Sequence, residues 1–119
     1  MNEELKREVA LYQADAEVLI RSVKDDTPKQ IADIEWFIEQ KVDVLVVSPN
    51  ESEACTPVIE KAYQQGIPVI LVDRKIATES YTAYVGANNY QIGKEAGLYA
   101  IGVLKGKGNI AEVRGTKGS

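Results

Sequence analysis

Apolar positions along the chain alternate between helical and strand spacing. Leu5, Val9 and Tyr12 recur at i, i+4 and i+7 with charged residues between them, which predicts an amphipathic helix over 2–13. Ala16 to Val23 holds Val18, Leu19 and Ile20, ends at Asp25-Asp26 and predicts a short strand. Thr27-Pro28-Lys29-Gln30 reads as a helix start: Thr27 as N-cap, Pro28 at the first helical position, Gln30 at the capping-box position. Ile31, Ile34 and Ile38, widened by Phe37, supply that helix's buried stripe up to about Lys41. Val42 to Val47 is nearly unbroken apolar sequence, the pattern of a central parallel strand covered on both faces, and Ser48-Pro49-Asn50 stops it. Thr56-Pro57 repeats the cap-and-proline start in a helix over about 53–65, with Ile59, Ala62 and Tyr63 inward and Gly66 at its left-handed end. Ile67 to Val72 is a second apolar strand, with Pro68 tolerable near its first position, and it terminates in Asp73-Arg74. After a polar loop over 75–81, Thr82 to Val85 is a shorter strand closed by Gly86-Ala87-Asn88-Asn89. A helix over about 90–104, with Ile92, Ala96, Tyr99, Ala100, Val103 and Leu104 inward, leads through Gly106-Lys107-Gly108 to a last strand over 109–113.

The predicted order is α-β-α-β-α-β-β-α-β, an α/β fold with an open, mostly parallel sheet flanked by helices in the Rossmann or flavodoxin manner. Sheets of this kind place ligands outside the carboxyl ends of their strands. Those ends are Asp25-Asp26, Ser48-Pro49-Asn50, Asp73-Arg74, Gly86-Ala87-Asn88 and Arg114-Gly115-Thr116.

Composition narrows the chemistry. Fourteen Lys plus Arg against 18 Asp plus Glu leave a net charge of −4, so this segment has no general attraction to nucleic-acid phosphates. The chain contains no histidine and one cysteine, Cys55, which removes Ser/His and Cys/His catalytic pairs and any internal disulfide. No apolar run reaches the roughly 18 to 20 residues of a bilayer span, and the opening MNEELKREVALY lacks a signal-peptide core.

Asp73-Arg74 is the sharpest candidate, because a carboxylate acceptor beside a planar fork of donors matches neighbouring hydroxyls of a polyol. The competing reading is an ordinary ion pair closing a strand. Asn50 and Asn88, at neighbouring strand ends, add amide donors and acceptors or serve as turn residues. Arg114-Gly115-Thr116-Lys117-Gly118 opens no helix and reads as loop, not as a phosphate cradle. Cys55 has no basic neighbour in sequence and reads as a small packing residue; Trp36, beside Phe37 on a helix, reads as packing too.

The ordered set VDVLVVSPNESEA, IEKAYQQGIPVILVDRK, YVGANNYQIGKEAGLYAI and LKGKGNIAEVRG resembles sugar-binding proteins of the periplasmic ribose-binding type. It is more similar still to the sugar-sensing domains of hybrid two-component sensor kinases. Where lactose-repressor relatives carry a Gly-His pair, this chain reads Lys105-Gly106-Lys107-Gly108-Asn109, which favours the periplasmic branch over the alternative, the effector-binding core of a transcription regulator. The resemblance implies two α/β lobes joined by crossing segments, with a sugar clamped between them by hinge closure. It carries the family's sugar-contacting Asp-Arg pair onto Asp73 and Arg74, with Asn50 and Asn88 nearby, and puts the first crossing, a hinge, at Ala87-Asn88.

On that match residues 1–87 correspond to a first lobe lacking its first strand, and 88–119 to the crossover plus the first helix and strand of a second lobe, so the fold is truncated at both ends. The expected strand over 109–113 then docks between the strands at 16–23 and 42–47, within the chain or by exchange in a homodimer, because an open slot in mid-sheet is prone to aggregate. The expected protein is a non-enzymatic, periplasmic sensor or solute-binding domain with a small sugar as ligand. It needs no cofactor or metal, and its parent is a membrane-anchored sensor kinase or a transport protein. A flavodoxin-like or response-regulator-like enzyme is the weakest reading, since the phosphate loop or acidic pocket would follow a first strand that this chain lacks.

Overall fold

The computed structural model describes residues 1–11 and 15–113. Its elements run α1 (Asn2–Leu11), α2 (Thr27–Glu39), β1 (Leu45–Val47), α3 (Ser52–Gln64), β2 (Val69–Val72), β3 (Ala83–Val85) and α4 (Asn89–Val103). The three strands form one parallel sheet in the order β1-β2-β3, with Leu45 opposite Val69 and Ile70 opposite Ala83. This is the expected α/β architecture.

The core lies between this sheet and the pair α2 and α3. Ile34 and Ile38 of α2 and Val58, Ile59 and Ala62 of α3 meet Leu45, Val47, Val69 and Leu71, which project from one face of the sheet. The alternate residues Val46, Ile70 and Val72 are only half-buried. The unbroken apolar runs predicted cover on both faces, but among the described residues the helices pack on one. Cys55 is fully buried in this core, as a packing residue should be.

Both predicted helix starts move. Asp26, not Thr27, caps α2: its carboxylate accepts the Lys29 N–H at 2.9 Å, and the buried Thr27 hydroxyl donates instead to Glu51 at 2.8 Å. Gln30 does not close a capping box; its side chain donates to Ser48 O at 2.9 Å and accepts the Asn50 N–H at 2.7 Å, bracing the end of β1. Helix α3 starts at Ser52 and contains Pro57, while Thr56 Oγ1 donates to Ser52 O and accepts the Ala77 N–H. Gly66 does end α3 in a left-handed conformation, with φ 84°.

Two predicted strands are absent among the described residues. Residues 16–23 form none, and Leu19 is 44% exposed. A strand persists only where a neighbour takes its backbone hydrogen bonds, and among the described residues no strand pairs with this segment. Instead Arg21 pins it to α2, pairing with Asp33 at 3.0 Å and stacking 4.0 Å from the centre of Trp36. Trp36 in turn meets Phe37 edge-on, with ring centres 5.3 Å apart. Residues 109–113 form no strand either, and Val113 is 97% exposed. The expected docking of 109–113 into the sheet therefore does not occur within the chain, and β1 is an edge strand, not a central one.

Helix α4 forms where expected but buries nothing; Ile92, Tyr99 and Val103, predicted inward, are each more than half exposed. α1 likewise has no buried residue. The radius of gyration is 18.0 Å, against about 13.5 Å for a compact chain of this length. Tyr12 and Gln13 of the first predicted helix and the turn Arg114-Gly115-Thr116 lie outside the described residues.

Candidate functional site

The site grows from the end of β2. The ladder to β3 continues one residue past the strand, with the Asp73 N–H donating to Val85 O at 2.8 Å. Immediately afterwards the Arg74 N–H donates back to Val72 O at 2.7 Å, closing a γ-turn around Asp73, whose φ is 68°. Left-handed backbone is uncommon for a residue other than glycine and stores strain, so this turn persists because its surroundings hold it. It swings the Arg74 side chain back over the end of β1, where Nη1 donates to Asn50 O at 2.5 Å and reaches Pro49 O at 3.4 Å. One arm of the guanidinium is thus fixed to the neighbouring strand end.

Asp73, Arg74, Gly86, Ala87 and Asn88 border an open cleft of about 780 Å³ at the carboxyl ends of β2 and β3. This is where an α/β sheet is expected to bind ligands, and the volume suits a small molecule. Asn88 caps α4, its Oδ1 accepting the Gln91 N–H at 3.1 Å, which leaves the amide NH₂ at the cleft edge. Asn50 joins through its main chain: its carbonyl holds Arg74, while its side-chain amide turns to Thr27 Oγ1 at 3.4 Å. The fold therefore gathers Asp73, Arg74 and Asn88 around one cleft, with Asn50 behind Arg74 and Ala87 in the cleft wall.

Tyr84 and Lys75, which the sequence pattern did not single out, complete the rim beside Gly86. The Tyr84 hydroxyl lies 3.0 Å from Asp73 O and 3.4 Å from Ala87 O. Lys75 Nζ stands 5.3 Å from the Tyr84 ring centre and 5.9 Å from that of Tyr81. Hydrogen bonding to Tyr81, and then charge interaction with it, raise the Lys75 pKa above the ordinary lysine value. Lys75 is therefore a cation throughout the neutral range. An aromatic two residues before a glycine at a strand end was the available signal, but its partner, the Asp73 carbonyl, is visible only in the fold. The loop over 75–81 is fastened to α3 through Ala77 N to Thr56 Oγ1 at 3.0 Å and Ser80 Oγ to Glu60 at 3.3 Å.

A carboxylate, a half-anchored guanidinium and an amide thus stand together at one open cleft beside the carboxyl ends of a parallel sheet. The chain belongs to the periplasmic binding protein domain family, whose model matches residues 1–119. Among curated relatives it is 30% identical over 102 residues to the ribose import binding protein of Bacillus subtilis, aligning 86% of this chain and 33% of that protein. It is 35% identical over 94 residues to the D-xylose-binding periplasmic protein of Haemophilus influenzae, aligning 79% of this chain and 28% of that one. The chain thus spans about a third of the length of these relatives. Among solved structures, the fructose-binding periplasmic domain of a hybrid two-component system superposes with a TM-score of 0.83 at 51% identity, over 90% of this chain and 35% of that one.

Proposed function

We propose that this chain forms part of a periplasmic, non-enzymatic sugar receptor, and that the receptor is the sensing domain of a two-component system. The observation that supports this most is the Asp73-Arg74 turn: a strained backbone presents a carboxylate and a guanidinium together, and the guanidinium has one arm fixed on Asn50 O and Pro49 O. In this reading the other arm of Arg74 donates to adjacent sugar hydroxyls, the Asp73 carboxylate accepts from them, and the Asn88 amide donates from the far rim. Residues 1–87 act as one lobe, 88–119 begin a second, and Ala87-Asn88 is a hinge about which the lobes close on the ligand. The 51% identity to a sensor domain favours sensing over transport and over the transcription-regulator alternative.

Calorimetric titration of the full-length protein with fructose, ribose and xylose tests the binding. One of these is expected to bind, and Arg74→Ala to weaken it by about ten- to 150-fold, the range that corresponds to a charged hydrogen bond of about 1.5 to 3 kcal/mol. Binding that survives Arg74→Ala unchanged would refute the assignment of Arg74. For the sensing branch, the flanking gene sequence should encode a membrane span followed by a kinase; a helix-turn-helix upstream would reverse the choice.

A further inference from the structure

The phenol of Tyr84 touches the two segments that the proposed function assigns to ligand contact and to hinge movement. Its hydroxyl has one proton and stands between two carbonyls, Asp73 O at 3.0 Å and Ala87 O at 3.4 Å. The first belongs to the central residue of the γ-turn; the second belongs to the wall of the cleft. Three features hold the ring at this point. Tyr84 sits mid-strand in β3, paired opposite Leu71. A cation, Lys75 Nζ, lies over its face at 5.3 Å. Position 86 is glycine, and any Cβ there would overlap the Tyr84 hydroxyl and lie 2.6 Å from Cζ. Gly86 is therefore the space that the phenol occupies, and its φ is not in the left-handed region, so conformational freedom does not explain it.

We infer that Tyr84 is a positioning residue for ligand binding: its hydroxyl ties the Asp73-Arg74 turn to the Ala87-Asn88 segment and thereby sets the direction of the Asp73 carboxylate and the Arg74 fork. The inference rests on the proposed function and adds to it a residue that acts through the Asp73-Arg74 turn. Because Asp73 is held in a strained conformation, the carbonyl that Tyr84 grips is the one whose rotation relaxes the turn. Loss of the hydroxyl leaves ring packing and the Lys75 contact in place, so the fold tolerates it while the site loosens.

The test compares Tyr84→Phe, Gly86→Ala and the double variant with wild type, all in the full-length protein, by calorimetry with fructose, ribose and xylose and by ligand-free thermal unfolding. Tyr84→Phe is expected to weaken binding by about two- to tenfold, the equivalent of one neutral hydrogen bond, with its ligand-free midpoint unchanged. Gly86→Ala, which displaces the whole ring, is expected to lose at least as much, and adding Tyr84→Phe to it should cost nothing more, since both act on one contact. Wild-type affinity in Tyr84→Phe overturns the inference while leaving the proposed function standing, and so does a loss of affinity matched by an equal loss of ligand-free stability. A wild type that binds none of the three sugars overturns the proposed function and this inference with it.

Discussion

At the scale of single residues the site depends on backbone conformation as much as on side-chain type. Asp73 lies at φ 68°, and the turn is held by Arg74 N–H to Val72 O, Asp73 N–H to Val85 O and the Tyr84 hydroxyl on Asp73 O. Placing an L-residue in left-handed backbone costs about 1 to 2 kcal/mol, which glycine avoids. Asp73→Gly is therefore expected to leave stability equal or raise it by up to about 1 kcal/mol in urea unfolding, after glycine's greater unfolded-state entropy is set against the relieved strain. Sugar affinity should fall sharply in the same variant, and a parallel loss of both would mean that the aspartate is only structural. The position of Asp73 and Arg74 just past the end of β2 was readable from sequence, because a strand-terminating pair needs only the local pattern. Gln30 was not: its amide spans from α2 to Ser48 O and Asn50 N, 18 and 20 residues away, and no local rule reports such a bridge.

At the scale of elements, the helices and three of the strands were legible and their boundaries less so, while the strands expected at 16–23 and 109–113 are absent among the described residues. Apolar periodicity found α2, α3 and α4, because each repeats its pattern over enough residues to outweigh single exceptions, while β2 and β3 were found as short runs closed by Asp73-Arg74 and by Gly86. The caps shifted because competing partners were nearby: Asp26 is a capping acceptor one residue before Thr27, and Glu51 takes the Thr27 hydroxyl. Gly66 was read correctly, since a left-handed helix end has a strong residue preference. Nothing lies within 4 Å of where its Cβ would be, so Gly66→Ala tests backbone strain alone. It should destabilise by about 1 to 2 kcal/mol without altering sugar affinity, checked by urea unfolding and calorimetry. A cost near zero would mean that the end of α3 relaxes to accept alanine.

At the scale of the whole molecule the chain is extended, 57 Å long, with α4 standing clear of the core. Ile92, Leu98, Tyr99, Ile101 and Val103 are all more than half exposed on a 15-residue helix, too much apolar surface for a stable free helix in water. If 88–119 begins a second lobe, the amides of α4 should exchange rapidly in the isolated 119-residue chain and slowly in the full-length protein, as measured by hydrogen exchange. Those of β2 and α3 should be protected in both. Fast exchange of α4 in both would refute the two-lobe division. Local order alone, periodicity, turn residues and strand ends, was enough to specify an α/β chain, the position of its helices and the placing of Asp73-Arg74 at a strand's carboxyl end, because each of these depends on neighbours within a few residues. Strand status at 16–23 and 109–113, burial of α4, and the Tyr84 contact with Asp73 were decided by tertiary structure. A strand requires a backbone partner, an apolar face requires a covering surface, and a phenol on one strand reaches a carbonyl past the end of the next only after the sheet has assembled.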